Sequence, residues 1–322
     1  MEPFKWAFIG AGGIANSVAK RIFHGGRHRL AAVYNRTFVK AERFAEKYGG
    51  RAYETMEEAI ADENVDGVYI NVTNNVHFDL CKKALACGKP VLAEKPFTTD
   101  AVQAAELFDI AKENGLYLAE AMWTWFSSPA NEVKRIVSEG MLGKIESGLM
   151  TLCLPIAFGK KSRLLKSELA GGALLDLGVY PITYAYRLFG KPNDIVCSAK
   201  FKCGVDVSDD IIMKYDGFEV KVMISVRSLR GVGERLKIVG EHGCIESGNY
   251  HSGAGAKVKA KSERINIKSD KNAMLAQFDR VAEEMRSGRK ESAFVPAQAT
   301  IEVMELLDEI RRKIGLKFAF EK

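Results

Sequence analysis

Three residues of this sequence have side chains that can transfer protons, and each lies in or beside a segment with a clear secondary-structure pattern. Lys95 follows a short apolar segment and precedes Pro96, while Asp176 and Tyr180 lie four residues apart in a segment of helical pattern. Side chains four residues apart on a helix share one face. An ammonium can stabilise an alkoxide as it forms, and a nearby positive charge lowers the pKa of a tyrosine from about 10. Side chains of these types can carry out acid–base chemistry.

A glycine-rich turn directly follows the apolar residues 5–9. It consists of Gly10, Ala11, Gly12, Gly13, Ile14 and Ala15. Gly10 permits a tight turn, Gly12 lets backbone N–H groups approach a pyrophosphate, and the small Ala15 lets the next helix lie close to a sheet. The N-terminus of that helix adds partial positive charge. We predict that residues 10–14 bind a dinucleotide, and the alternative is an ordinary βα turn without a ligand.

The end of the second predicted strand carries Asn35, Arg36 and Thr37. A site for NAD usually has a carboxylate about 20 residues beyond the glycines, and no carboxylate stands at this strand end. Arg36 can pair bidentately with a 2′-phosphate, Asn35 and Thr37 can donate hydrogen bonds to it, and Lys40 adds positive charge. We therefore predict a preference for NADP(H), with NAD(H) as the second option. The alternative is that Arg36 only solvates a loop.

Composition narrows the classes of protein to which the chain can belong. Its 322 residues exceed the usual size of one domain, so we expect two. The 47 Lys and Arg against 41 Asp and Glu give a net charge of +6, spread along the chain, which attracts small anions and argues against a nucleic-acid partner. The six cysteines show no metal-ligand spacing, so we predict reduced thiols, no metal site and a cytoplasmic location. No apolar run approaches the length of a membrane span, and we predict no membrane partner.

Strand and helix signals alternate over the first third of the chain. The predicted strands are residues 5–9, 30–34, 67–72, 90–93 and 116–119, and the predicted helices are residues 15–23, 39–48, 56–61, 78–86 and 100–113. This alternation is typical of parallel βαβ units. We assign residues 1–120 to an N-terminal, doubly wound Rossmann domain of the α/β class that binds the dinucleotide.

Residues 121–322 show a different pattern. Alternating segments predict antiparallel strands at 145–154, 195–201, 209–214, 218–226 and 234–239. Helices are expected at 129–139, 174–188 and 296–314, and an exposed hairpin or loop at 246–269. We predict a C-terminal α+β domain with a large, open, mostly antiparallel sheet, which binds the substrate and forms the contact between subunits.

Several short motifs resemble those of the Gfo/Idh/MocA oxidoreductases. They are the glycine turn and the segments TNNVH (73–77), EKP (94–96), EAMW (120–123), GGALLDLGVYP (171–181) and IGLKF (314–318). Together they extend over essentially the whole chain and are more specific than EKP alone. The WTWF (123–126), GGALLDLGVYP and IGLKF segments look most like a branch that includes dimeric trans-1,2-dihydrobenzene-1,2-diol dehydrogenases and NADP-dependent D-xylose dehydrogenases.

The resemblance implies roles for individual residues. Lys95 is implied to hold the reacting oxygen or the nicotinamide carboxamide, Tyr180 to donate or accept the proton, and Asp176 to orient Lys95 or bind a substrate hydroxyl. The residues implied to contact the cofactor are Thr73, Asn75, His77, Glu94, Lys95 and Trp123. For His77, a role at the start of a helix is an equal alternative.

Trp125 departs from the family pattern, since many members carry an arginine there. We expect Trp125 to offer a bulky apolar wall to a cyclic substrate. Arg163 is a further candidate for anchoring the substrate.

The resemblance implies reversible hydride transfer between NADP(H) and a carbon of a sugar, a polyol or a cyclic diol or carbonyl compound. One alternative is a hydrolase or lyase that retains its dinucleotide through each cycle. The other is a non-catalytic, dinucleotide-sensing regulator, which the presence of Lys95 disfavours. The open sheet implies a homodimer or a higher homo-oligomer. The identity of the substrate does not follow from the sequence.

Overall fold

The computed structural model describes residues 2–156, 162–227 and 232–321. The chain divides into two compact units, Met1–Trp123 with Met274–Ile301, and Thr124–Ala273 with Glu302–Lys322. The predicted division at residue 120 assigned every later residue to the second domain, whereas the compact units place residues 274–301 with the first. Within the described ranges, no helix is both long and apolar enough to cross a membrane.

The first unit contains a parallel sheet. Its strands are β1 (Phe4–Ile9), β2 (His28–Tyr34), β3 (Arg51–Tyr53), β4 (Gly67–Ile70), β5 (Val91–Ala93) and β6 (Leu118–Glu120). They lie in the order β3-β2-β1-β4-β5-β6, and every pairing is parallel within the described residues. This is the strand order of a doubly wound dinucleotide-binding domain. The predicted Rossmann fold is confirmed, although strand β3 is too short for its pattern to have predicted it.

The described residues form helices in both units. They are α1 (Gly13–Ile22), α2 (Phe38–Tyr48), α3 (Met56–Ala61), α4 (His77–Ala86), α5 (Ala101–Glu113), α6 (Ser128–Ser138), α7 (Val179–Phe189), α8 (Ala273–Arg286) and α9 (Ala297–Ile314). Helix α8 was not predicted. Its Phe278 ring centroid lies 5.1 Å from those of both Trp6 and Tyr69. Burial of this apolar face on β1 and β4 explains why α8 belongs to the first unit.

The second unit contains a larger sheet. Its strands are β7 (Ile145–Cys153), β8 (Asp194–Lys202), β9 (Val205–Tyr215), β10 (Phe218–Ser225), β11 (Glu234–Gly240), β12 (Gly243–Gly248), β13 (Ala256–Ala260) and β14 (Glu263–Ile267). They lie in the order β14-β13-β12-β11-β7-β10-β9-β8, which confirms one large sheet. Strands β7 and β10 pair in parallel, whereas the other neighbouring strands pair antiparallel.

Two local predictions in this unit are refined by the structure. The segment 246–269 contains a hairpin of β13 and β14, and Val258 lies on a buried face of this hairpin. The helix expected at 174–188 starts as a π-helical turn, Leu174–Gly178, and continues as α7. Gly178 lets this turn lie against β10, because a Cβ atom there would lie 2.5 Å from Cδ1 of Ile224. Turns of the π type frequently occur at functional sites.

Candidate functional site

Gly10 makes the tight turn that follows β1. Its φ is +114°, and a Cβ atom at this position would lie 2.5 Å from the carbonyl oxygen of Asn71, so only glycine fits. The Gly10 N–H donates to the carbonyl of Tyr34 at 2.8 Å, and the Ala11 N–H donates to Oδ1 of Asn35 at 3.2 Å. Both hydrogen bonds therefore tie the turn to the end of β2.

The N-terminus of α1 lies open after this turn. Added Cβ atoms at Gly12 or Gly13 would meet nothing within 4 Å, and the side chain of Ile14 is exposed. Gly12 provides no side-chain cap, and the first turn of α1 holds no acidic residue. Such a helix end presents backbone N–H groups and partial positive charge to an anion. Residues 10–14 thus lie together in the geometry that a pyrophosphate requires.

The residues at the end of β2 make different contacts, and the sequence did not indicate this difference. The Asn35 side chain donates to the carbonyl of Thr37 at 2.9 Å, while its oxygen accepts from Ala11. Asn35 therefore ties the strand end to the glycine turn. Arg36 is exposed, and its guanidinium forms no hydrogen bond or ion pair with any described residue. Arg36 and the exposed Thr37 are the members of this group that can reach a ligand.

The segment after β4 contributes buried polar atoms. Thr73 is half-buried and precedes a short 3-10 turn, Asn74–Val76. Oδ1 of Asn75 and both side-chain polar atoms of Asn71 are buried without a hydrogen-bond partner in the described part of the chain. Buried polar atoms normally have partners, so these atoms point to a ligand or to water. Asn71 was missed by the sequence analysis, although it follows the buried strand β4 directly.

His77 is fully buried at the first residue of α4. Its Nδ1 lies 2.9 Å from the carbonyl oxygen of Pro96, and its Nε2 lies 3.3 Å from that of Val72. Burial lowers the pKa of His77, so the ring is neutral and has one N–H to donate. The structure thus gives His77 a role in holding the segment beside Lys95, and the proposed cofactor contact stays a prediction.

The EKP segment follows β5 at the carboxyl end of the sheet. Oε1 of Glu94 accepts a hydrogen bond from the Tyr69 hydroxyl at 2.5 Å, and its Oε2 accepts from the backbone N–H of Lys95 at 3.2 Å. Lys95 is half-buried, and the Lys95–Pro96 peptide bond is cis. Glu94 therefore shapes the backbone from which the Lys95 ammonium extends.

Glu120 is a buried acid on the neighbouring strand. It ends β6, where it is paired in register with Ala93, and it is 2% exposed. Burial raises the pKa of Glu120 to about 7, with a contribution from the nearby charge of Glu94 and against the opposing effects of the Thr300 hydroxyl and the Lys95 charge. The EAMW motif contains Glu120, but no pattern in the sequence indicates this burial.

In the second unit, Asp176 and Tyr180 lie on one continuous helical segment, and both are buried. The Arg163 guanidinium donates to Oδ1 of Asp176 at 2.6 Å. Arg163 thus holds the Asp176 carboxylate. Its proposed contact with a substrate stays a prediction.

Tyr180 packs against a histidine that sequence reasoning missed. The ring centroids of Tyr180 and His251 are 4.9 Å apart. Nδ1 of His251 lies 2.8 Å from Oε2 of Glu234, whose side chain is 2% exposed. Glu234 and His251 belong to different elements and match no motif, so only the fold brings them to Tyr180.

The tryptophans of the WTWF segment have different environments. Trp123 is half-buried and is the last residue of its stretch of the first unit. Trp125 is fully buried in the second unit, where its ring centroid lies 4.9 Å from that of Tyr184 and 4.0 Å from Cζ of Arg187. The expectation that Trp125 forms a wall for the substrate is therefore wrong. Its ring packs against Tyr184 and makes a cation–π contact with Arg187.

Two family models match the chain. Residues 4–122 match the oxidoreductase family model with the NAD-binding Rossmann fold, and residues 130–246 match the Gfo/Idh/MocA C-terminal domain. The two matches correspond to the parallel sheet of the first unit and to most of the larger sheet of the second.

Curated relatives align with nearly the full length of the chain. A D-xylose 1-dehydrogenase (NADP(+)) from Hypocrea jecorina is 28% identical over 98% of this chain and 93% of its own. A trans-1,2-dihydrobenzene-1,2-diol dehydrogenase from Macaca fuscata fuscata is 27% identical over 99% of both chains.

A solved structure shares the fold. A 3-ketoreductase from Actinomadura kijaniata, crystallised in complex with NADP and TDP-benzene, superposes with a TM-score of 0.87 at 23% identity, over 97% of this chain and 98% of its own. The family models, the relatives and the strand order of the first unit agree. This chain belongs to the Gfo/Idh/MocA oxidoreductase family.

Proposed function

We propose that this protein is an NADP(H)-dependent oxidoreductase that transfers a hydride to or from a carbon of a sugar, a polyol or a cyclic diol or carbonyl compound. The observation that carries the proposal is the open, uncapped N-terminus of α1 behind the Gly10 turn, in a sheet of the order 3-2-1-4-5-6. That arrangement is a site for the pyrophosphate of a dinucleotide. The membership in an oxidoreductase family supports a catalytic role over a regulatory one.

The described residues fit a dinucleotide carrying a 2′-phosphate. Backbone N–H groups at Gly12 and Gly13 would hold the pyrophosphate, and Arg36 would pair with the 2′-phosphate. The buried side chains of Asn71 and Asn75 have polar atoms to offer to the cofactor. When bound, the nicotinamide supplies the hydride chemistry.

The residues of the chain supply charge and proton handling. The Lys95 ammonium stabilises negative charge on the oxygen of the reacting carbon, and the Tyr180 hydroxyl gives the proton in reduction or takes it in oxidation. Asp176, fixed by Arg163 at 2.6 Å, either orients the ammonium of Lys95 or accepts a hydrogen bond from a substrate hydroxyl. These roles for Lys95, Asp176 and Tyr180 are part of the proposal.

The relatives support a small, polyhydroxylated substrate. D-xylose and trans-1,2-dihydrobenzene-1,2-diol, which appear in the names of two relatives, both carry adjacent hydroxyl groups. We therefore expect a compound with at least two neighbouring oxygen atoms, one on the reacting carbon and one able to bind a polar side chain.

The test is a screen that follows the absorbance of the reduced nicotinamide. Purified protein is given aldoses, inositols, cyclic diols and dicarbonyl compounds, each with NAD(H) and with NADP(H). At least one substrate should turn over with NADP(H), and Tyr180→Phe should lower kcat by about 10²- to 10⁴-fold. Tyr53→Phe, which removes a hydroxyl bonded to Asp62, is the matched control and should keep full activity. Full turnover by Tyr180→Phe would remove the proposed acid or base.

The cofactor preference has its own test. Arg36→Ala should lower kcat/KM for NADP(H) by about 10- to 100-fold, because a charge-assisted phosphate contact contributes about 1.5–3 kcal/mol. The value for NAD(H) should change little. Arg43→Ala removes an exposed arginine from α2 and is the control.

The alternatives predict other results in the same assay. A hydrolase or lyase that retains its dinucleotide forms product with no net change in nicotinamide absorbance. A non-catalytic regulator binds NADPH but converts none of the substrates in the screen.

A further inference from the structure

A buried carboxylate holds His251 by two contacts. Glu234 begins β11, and its Oε1 accepts a hydrogen bond from the backbone N–H of His251 at 2.7 Å. Its Oε2 lies 2.8 Å from Nδ1 of the same residue. The carbonyl oxygen of His251 accepts from the Thr124 hydroxyl at 2.7 Å, which fixes the backbone from the other side. The position and ring orientation of His251 are therefore set by its surroundings.

The ring held in this way contacts the proposed acid or base. The His251 and Tyr180 rings are tilted by 57° with their centroids 4.9 Å apart. The His251 side chain is 19% exposed, so the imidazole lies between the buried Glu234 and a more accessible surface. A carboxylate beside an imidazole helps to fix the orientation of the ring.

The other charged and titratable groups nearby come from several elements. Asp176, paired with Arg163, lies on the helical segment of Tyr180. Tyr184 lies one turn further along α7, and its ring contacts that of Tyr250, the neighbour of His251. Burial raises the pKa of Tyr250, and the charge of Glu234 raises it further, so its hydroxyl stays protonated. Cys153 also lies near Tyr250, and burial raises the pKa of its thiol.

We propose that His251, held by Glu234, is a positioning residue that sets the orientation of the Tyr180 ring and the ease with which its hydroxyl gives up a proton. Contact with the imidazole limits the rotation of the phenol. The imidazole also gives the phenol a polar neighbour, and polar surroundings favour the ionised form more than apolar ones do. The inference depends on the proposed function, in which Tyr180 exchanges a proton with the substrate.

Three variants test the inference. His251→Phe keeps a ring against Tyr180 and removes both nitrogens, Glu234→Gln removes the charge that holds the imidazole, and the third variant combines the two. The controls are His242→Phe in the turn after β11 and Glu246→Gln, which breaks the surface ion pair with Lys237. Far-UV circular dichroism and thermal unfolding report whether each variant is folded.

Each variant is measured in two ways. Steady-state kinetics separate kcat from KM. The ionisation of Tyr180 is followed without substrate, as the tyrosinate absorbance that the Tyr180→Phe background lacks.

A positioning role predicts a loss in kcat with KM nearly unchanged. His251→Phe should lower kcat by about tenfold or more and change KM by less than about threefold. The midpoint of Tyr180 ionisation should rise by about one pH unit, because a phenyl ring cannot stabilise the phenolate. Glu234→Gln should lower kcat as well, and the combined variant should be no slower than His251→Phe, since Glu234 acts through His251.

Several results would overturn the inference. They are an unchanged kcat and Tyr180 midpoint in His251→Phe, losses that multiply in the combined variant, or equal losses in the controls. If His251→Phe does not fold, Glu234→Gln decides, and an unchanged kcat there also overturns it. If the wild-type protein turns over no substrate, the proposed function fails. The pH midpoint of Tyr180 ionisation then still tests whether His251 acts on Tyr180.

Discussion

The Thr300 hydroxyl donates a hydrogen bond to Oε2 of Glu120 at 3.2 Å inside the first unit. Glu120 is 2% exposed and stands in line with Ala93, two residues before Lys95. Burial raises the pKa of this acid from 4.5 to about 7. The folded protein therefore holds a proton on Glu120 at pH values where the unfolded chain has released it.

This difference predicts how stability depends on pH. Between about pH 4.5 and 7 the native state binds more protons than the unfolded state, so the contribution of Glu120 to the free energy of unfolding is lost as pH rises through this window. Glu120→Gln removes the titration and keeps an oxygen for Thr300. At pH 8 the variant should be more stable than the wild type by about 3 kcal/mol, and at pH 4.5 the two should be nearly equal.

Urea unfolding at both pH values measures this prediction. Glu106→Gln, an exposed acid on α5, serves as the control and should show no such pH dependence. An equal gap at pH 4.5 and pH 8 would show that Glu120 ionises normally in the folded protein.

Two buried aspartates on β9 should respond differently to the same substitution. Oδ2 of Asp206 accepts the backbone N–H groups of Ala173 and Leu174 at 2.7 and 2.6 Å, at the start of the helical segment that carries Tyr180. Burial, and then the charge of Asp206, raises the pKa of Asp209 to about 10, so Asp209 is protonated at neutral pH. Burial raises the pKa of Asp206 as well, but the backbone N–H groups of Leu174 and Ala173 oppose that rise, so we expect the charge of the pair to lie on Asp206.

Asp206→Asn should therefore lower the free energy of unfolding by about 1.5–3 kcal/mol, because two charge-assisted hydrogen bonds become weaker neutral ones. Asp209→Asn replaces a neutral acid by a neutral amide and should cost less than about 1 kcal/mol. Urea unfolding at pH 7 compares the two proteins. A greater loss at Asp209 would show that the charge lies on the other carboxylate.

The glycine turn offers a test that separates folding from cofactor binding. Gly12 has φ of −81°, and nothing lies within 4 Å of an added Cβ atom, so Gly12→Ala should lower the free energy of unfolding by less than about 1 kcal/mol. Its methyl group would occupy the space through which a pyrophosphate approaches, and the Kd for NADPH should rise at least about tenfold.

Fluorescence titration with NADPH measures this Kd, and Gly10→Ala provides the contrast. Gly10 has φ of +114° and Asn71 in its path, so that variant should lose stability as well as binding. Wild-type affinity in Gly12→Ala would place the dinucleotide elsewhere.

Motifs that are continuous in the sequence predicted their surroundings well. The glycine turn, Lys95 and the helical segment with Asp176 and Tyr180 each depend on a few neighbouring residues, and the strand order of the first unit follows from regular alternation. The roles of these residues stay predictions.

Contacts between distant segments could not be predicted in this way. Glu234 and His251 are 17 residues apart and meet only because β11, β12 and the turn after them fold together. The burial of Trp125 also depends on a distant partner, Arg187 of α7. Helix α8 could have been predicted from the sequence, because its apolar residues recur every three or four positions.

The open face of the larger sheet carries the last prediction. Val196 is 47% exposed on β8, in register with Ile212 of β9, and Leu149 of β7 lies in the same row, joined to Ile212 through Lys221. Val196, Ile212 and Leu149 thus leave apolar side chains partly exposed on one sheet face, beside Lys221. Exposed apolar side chains on a sheet face are typical of a surface covered by another subunit.

We therefore predict that the wild-type protein sediments as a dimer or a larger homo-oligomer at micromolar concentration. Val196→Asp combined with Leu149→Asp should shift it to the monomer, because association would have to remove two added carboxylates from water. Val102→Asp, on α5 of the first unit, is the matched control, since Val102 is 77% exposed and lies far from this row in the chain. Sedimentation velocity measures all three proteins. A monomeric wild-type protein would show that this face stays in solvent.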